Sequence, residues 1–293
     1  VLVLVGSDYA SAHDHSLEVY VRVTYGQILR DSGAFTDAET AFTSALEKCL
    51  QLIEDGHGDA NLLRLQSEAQ NNLGILYLVT DRAELAQQAF ASAREDFKRT
   101  LKISPDFVAA INGHGWASSY LGDALRMLDR HGEASAMYDE ALALRHPLVT
   151  GGNVASFDVG QAAVQLMVNC LETDKRDYIA AMQLAEGLVA EFPKSDRAHV
   201  LLAMCHFRQE NYDLALVELD EAKLFNIGNR SPAGFLRAMT LSKLGETTKA
   251  EAAWKQAVGL MDSHTPGNLR LRRIRAEAEA LLGDVTKPAS SGA

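Results

Sequence analysis

Residues 69–93 read AQNNLGILYLVTDRAELAQQAFASA, and the fold follows from the placing of small and large residues within them. Ala69, Gly74, Ala86 and Ala93 are small, where two helices must approach closely. Leu73, Tyr77 and Phe90 are large and apolar, where the gap between the helices must be filled. Counted from Gly74, Asp81 stands at +7, Ala86 at +12, Phe90 at +16 and Ala93 at +19. Residues separated by four and then three positions share one face of a helix, so the last three line a second helix and Asp81 falls in the turn before it. The unit is a helical hairpin.

The same offsets recur on both sides. Gly26 is followed by Gly33, Ala38, Phe42 and Ala45, and Gly122 by Asp129, Ala134, Tyr138 and Ala141. The three glycines stand 48 residues apart, and a constant period of this size marks a stacked array.

These positions resemble the tetratricopeptide repeat family, whose unit of 34 residues carries Leu-Gly, Tyr, Ala, an aromatic residue and Ala in this order. The resemblance implies an all-α fold: a right-handed α-solenoid of about six stacked hairpins closed by a C-terminal cap helix. The long period departs from the family unit by about seven residues per helix, close to two turns, which returns nearly the same face to its neighbour. Phe97 and Leu101 would continue the second helix toward Pro105, and residues 107–111 would extend the next helix backwards. Kinesin light chain-like arrays are similar in using lengthened repeats.

Beyond Leu142 the pattern changes. His146-Pro147 and Gly151-Gly152-Asn153 predict a loop or joint. Shorter units then follow on Ala181, Leu188 and Pro193; on Ala203, Ala215, Leu219 and Ala222; and on Ala238, Gly245, Ala250, Trp254 and Ala257. Pro266-Gly267 precede a stretch to Leu282, ended by Gly283, that reads as a solvating cap helix. The expected organisation is an N-terminal extension (1–11), a long-repeat block of three repeats (12–145), a joint (146–158), a short-repeat block of three repeats (159–262), a cap helix (263–283) and a disordered tail (284–293).

Composition narrows the function. A formal net charge of -11 argues against nucleic acid as a partner, since such binding rests on clustered Lys and Arg. The three cysteines, Cys49, Cys170 and Cys205, form no C-x-x-C pair, which points to free thiols in a reducing compartment. No apolar run approaches the roughly 20 residues that span a bilayer. Val1-Leu2-Val3-Leu4-Val5 opens the chain without Met and suggests an upstream segment. The expected setting is cytoplasmic and bacterial, with no metal and no cofactor.

In the tetratricopeptide family the first helix of each hairpin lines a concave groove, and its second, fifth, ninth and twelfth positions tend to meet the ligand. The resemblance carries these roles to Tyr20, Val23, Gln27 and Arg30; Glu68, Asn71, Ile75 and Leu78; and Trp116, Ser119, Asp123 and Arg126. In the shorter repeats it carries them to Ala163, Leu166, Cys170 and Thr173; Arg197, Val200, Met204 and Phe207; and Pro232, Phe235, Met239 and Ser242. The peptide-binding set is therefore Gln27, Asn71, Asn72, Ile75, Ser119, Asp123, Arg126, Leu166, Cys170, Met204, Phe207, Phe235 and Met239. Polarizable Met beside Phe suits an apolar partner segment. The competing reading packs Met204, Met239 and Phe235 between neighbouring helices.

The carboxylate clamp of some family members is not repeated. Only Asn72 matches a clamp asparagine, while Val23 and Trp116 stand at the Lys positions and Tyr120 at the Arg position. His13-Asp14-His15 reads as a helix cap rather than a metal site, because i and i+2 do not share a helix face. Cys205 and His206 diverge on a helix, and Gly113-His114-Gly115 lacks the phosphate-loop spacing. Arg270, Arg272, Arg273 and Arg275 form a basic cluster on the cap. The expected function is a non-catalytic, monomeric scaffold holding a protein or peptide in its groove. The alternatives are a regulatory region of a larger enzyme, such as a bacterial protein kinase, and a structural self-association module.

Overall fold

A computed structural model describes residues 12–149, 156–171, 176–225 and 232–283, and the side chains of these apart from 12–15 and 223–225. The extension 1–11, residues 150–155 of the joint, Thr173, the tail and the side chains of His13, Asp14 and His15 lie outside that description. The fold is all-α. Thirteen helices and no strand occur among the described residues.

Helix length divides the chain. The first five helices are α1 (Ala12–Asp31), α2 (Phe35–Glu54), α3 (Ala60–Val79), α4 (Ala83–Ile103) and α5 (Val108–Met127), of 20 or 21 residues each. After α6 (His131–Val149) come α7 (Phe157–Asn169), α8 (Tyr178–Glu191), α9 (Asp196–Arg208), α10 (Tyr212–Phe225) and α11 (Ala233–Lys243), of 11 to 14 residues. The last two are α12 (Thr247–His264) and α13 (Leu269–Leu282). A difference of about seven residues is about two turns, and the extra turns are packed. Phe97, fully buried near the end of α4, lies against Gly113 on α5, together with Ala93, Ala110 and Ala117.

One turn closes five of the hairpins. The residue seven positions after the small one takes a left-handed backbone: Gly33 (φ 88°), Asp81 (56°), Asp129 (56°), Glu210 (62°) and Gly245 (78°). In each case the next amide donates back five residues: Ala34 to Leu29, Arg82 to Tyr77, Arg130 to Leu125, Asn211 to His206 and Glu246 to Leu241, at 2.8 to 2.9 Å. This is the Schellman closure, which satisfies carbonyls left open at a helix C-terminus. Asp is among the few residues with a side chain that tolerate this conformation.

The chain divides into two compact units, one carrying α1 to Arg30 and α2–α5, the other Asp31–Gly33 and α7–α13, with α6 divided between Ala134 and Ser135. In the first unit Phe42, Leu62, Leu65 and Leu76 are essentially sealed, and α2, α3, α4 and α5 pack in sequence. Side-chain links repeat with the same 48-residue step. The Arg82 guanidinium binds Glu39 at 2.9 Å and covers the Tyr77 ring, and Arg130 binds Gln87 at 3.0 Å. Likewise Arg22 donates to Ser44, and Gln70 donates to Ser92 at 3.2 Å.

The second unit has one continuous core, from Val164 on α7 through Ala203, Phe235 and Trp254 to Leu282. Asn169, at the end of α7, ties that helix to α9: its amide nitrogen donates to the Met204 sulfur at 3.1 Å, and its oxygen accepts from Arg208 at 2.9 Å. Arg208 in turn binds Glu277 on α13, with one contact at 2.8 Å. Helix α13 buries Leu271, Ile274, Ala278 and Leu282 and turns Arg270, Arg272 and Glu279 outward. The sequence places a break at His146-Pro147, but α6 continues through both to Val149. Pro147 removes one backbone bond of this helix and crowds the Ala143 carbonyl one turn earlier, yet residues 148 and 149 remain helical.

Candidate functional site

The first unit carries a polar line along its first helices. Arg30, near the end of α1, reaches across to α3, where its Nη1 donates to Asn72 Oδ1 at 2.7 Å. The Asn72 amide nitrogen donates to the Glu68 carbonyl one turn earlier, at 2.8 Å. Asn72 is thus held at both ends of its side chain. Ser119 and Asp123 are also buried. The neighbouring Asn71 differs: it is half-buried, and its Oδ1 accepts no hydrogen bond among the described residues. A shielded amide oxygen without a donor costs about 1–3 kcal/mol, and an incoming N–H removes that cost. Gln27, Ile75, Trp116 and Arg126 are likewise only partly buried.

The second unit is different. Leu166, Cys170, Met204, Phe207, Phe235 and Met239, assigned to ligand contact by resemblance, are at most 6% exposed. Met239 is fully buried, and Phe235 packs on Trp254 with ring centroids 5.5 Å apart. In these shorter helices the first-helix faces are the core of the unit. Of the other positions carried over there, Arg197 is exposed, covering the Phe157 ring and bonded to Asp158 at 2.8 Å.

The positions of the carboxylate clamp hold no cation here. Val23 is buried, and Tyr120 stacks between Phe90 and Trp116, at 5.6 and 5.4 Å. In the cap cluster Arg275 is engaged by Asp262 at 2.7 Å and by Glu279 at 3.0 Å. Burial pushes the thiols of Cys49 and Cys205 up to about 12, so both are protonated, and weak nucleophiles, at neutral pH. No group of three or more His, Cys, Asp or Glu side chains placed to hold a metal occurs among the described residues. No described helix is long and apolar enough to cross a membrane.

Residues 172–226 match the family model for the tetratricopeptide repeat. Within those residues the chain carries the tetratricopeptide repeat. Among solved structures, a tetratricopeptide repeat protein from Parabacteroides merdae is 15% identical, with 89% of this chain and 84% of that one covered at a TM-score of 0.48. TTC0263, a thermophilic protein of the same repeat type in Thermus thermophilus, is 17% identical over 73% of this chain and 100% of its own, at 0.46. No curated protein matches the sequence. The matched residues fall in the shorter repeats, where the spacing is nearest the 34-residue unit.

A titratable site that the repeat pattern did not reveal lies in the second unit. His199, 6% exposed, has Nδ1 2.7 Å from Glu218 Oε2 and Nε2 3.0 Å from the Pro193 carbonyl oxygen. Burial pulls its pKa down, but the bonds to Glu218 and Pro193 and the charges of Glu218 and Glu221 outweigh this and raise it above the ordinary value of 6.5. Both neighbouring oxygens accept hydrogen bonds, so both are satisfied only by the imidazolium. A raised folded-state pKa contributes stability that is present in full below the unfolded value and is lost as pH rises through the folded one. Denaturant unfolding should therefore show a loss of stability as pH rises from about 6.5. His199→Gln should flatten that slope, and a slope that survives the substitution contradicts the assignment.

Proposed function

We propose that the chain is a non-catalytic scaffold that holds a protein or peptide segment against the first helices of its long repeats. The observation carrying this reading is the Asn71 amide oxygen, shielded from water and without a donor among the described residues, beside an Asn72 already locked by Arg30. An extended segment brings backbone N–H groups to such an acceptor, while Gln27 and Arg126 supply further polar contacts and Ile75 and Trp116 apolar area. A few such anchors carry most of the affinity, and the rest of the surface gives complementarity. The repeat family supports the class of function. The partly exposed residues of α1, α3 and α5 favour the first unit over the buried Met and Phe of the second.

The test is selection of peptides from a displayed library on the full chain, followed by affinity measurement with Asn71→Ala and Gln27→Ala. Each substitution should weaken a selected peptide about two- to tenfold, the worth of one hydrogen bond, with an unchanged melting temperature. Affinities unmoved by both substitutions would place binding elsewhere.

A further inference from the structure

Among the described residues, helix α1 has one side uncovered. Leu17, Val21, Tyr25 and Ile28 are 57%, 50%, 56% and 62% exposed, and Tyr20 beside them is 52% exposed. Spacings of three and four place these residues on one helical face. The opposite face is already used, since Val19 and Val23 are buried and Gly26 meets Phe42.

The repeat itself shows what such a face is for. One period later the same positions are Leu65, Ala69, Leu73 and Leu76 on α3, all at most 8% exposed, where α2 of the preceding hairpin packs on α3. The exposed side of α1 is therefore the stacking surface of a repeat with no other described residue packed on it. We infer that it is covered by the α1 face of a second copy of this chain, in an antiparallel two-fold pair.

Three observations select that occupant. The face is its own complement under reversal: about a centre between Arg22 and Val23, Leu17 meets the second copy's Ile28, and Tyr20 meets its Tyr25. A two-fold interface requires such self-complementarity. Between Leu17 and Ile28 the strip opposes no like charges, and the carboxylates that this register brings together, Asp14 and the second copy's Asp31, fall at the two ends of the helix. Arg22, the residue nearest the axis that could, is turned to α2 and bonded to Ser44, and it pairs with Glu18 at 2.6 Å.

The third observation is area. Five half-exposed side chains cover on the order of 100 Å² each, so the pair buries about 1,000 Å² in total, the lower limit for a specific interface. A head-to-tail stack is the less favourable alternative, because α13 turns Arg270, Arg272 and Glu279 outward instead of an apolar strip. Such a pair differs from the monomer expected from sequence and is independent of the peptide-binding reading.

Sedimentation velocity of the full chain, from about 1 to about 300 µM, reads the association directly. The expected result is a concentration-dependent rise to twice the chain mass. Tyr25→Glu with Ile28→Glu should hold the chain at a single mass at every concentration with unchanged helicity, and Leu214→Glu on α10, at an exposed apolar site elsewhere, should leave the dimer intact. Should the acidic pair lose helicity, Tyr25→Ser with Ile28→Ser reads the same face without added charge. A monomer throughout the range overturns the inference, and so does a dimer that survives in the folded α1 variants.

Discussion

Replacing Met204 and Phe235 together with Ser is expected to unfold the second unit at temperatures where the native chain is stable. Both side chains lie in the continuous core of that unit, at 5% and 2% exposure, and Phe235 rests on Trp254. Truncating a buried Phe costs about 3–5 kcal/mol and a buried Met about 2–5. The new hydroxyls add the cost of burying polar groups without assigned partners. Even with partial overlap between neighbouring sites, the loss exceeds about 5 kcal/mol, comparable to the whole stability of many domains. Thermal unfolding followed by circular dichroism gives the result. A melting temperature close to the native value would mean that these side chains are free to meet a ligand, and would return them to the binding surface.

The glycine at the centre of the long repeat predicts the second large effect. A methyl built on Gly74 would lie 2.5 Å from Phe90 Cε1, and one on Gly26 would lie at the same distance from Phe42. Phe90 is fully buried and wedged against the stacked Tyr120 ring, so it has little room to yield. Gly74→Ala should therefore destabilise the chain by about 1–3 kcal/mol, although alanine is ordinarily the better helix former. Phe90→Ala should cost about 3–5 kcal/mol through the cavity it opens. The double variant should cost less than the sum of the two, because the alanine methyl enters space that the ring has vacated. Additive costs from denaturant unfolding would show that the two side chains do not share that space.

This pair also shows how much of the fold is legible in the chain. The +7, +12, +16 and +19 offsets anticipate the hairpin, the place of its turn and the aromatic that fills the gap, because each is a local demand of helix geometry. The +7 position is left-handed in all three long repeats and in two of the shorter ones, and the extra turns predicted around Phe97 are packed on Gly113. The break expected at His146-Pro147 came from composition alone. A proline does not by itself end a helix, and here α6 runs through Pro147 to Val149.

The candidate site was less legible. Position within a helix names the face on which a residue lies, but not whether a neighbour covers that face. Asn71 and Asn72 are adjacent and chemically identical, yet Arg30, 42 residues away in sequence, engages one and leaves the oxygen of the other without a donor among the described residues. Met204 and Phe235 occupy positions that meet ligand in the family's groove, but in the shorter helices here those positions are filled by packing. Tyr25 and Ile28 match buried residues one period later, a signal present in the sequence that gains meaning only from their exposure.

The sequence by itself thus determined the helices, their pairing into hairpins and the two repeat lengths, since these depend on contacts between residues close in the chain. Only the tertiary structure decided which polar groups are satisfied, which apolar faces are covered and which are left open. Burial at any one residue is set by whatever the rest of the chain brings against it.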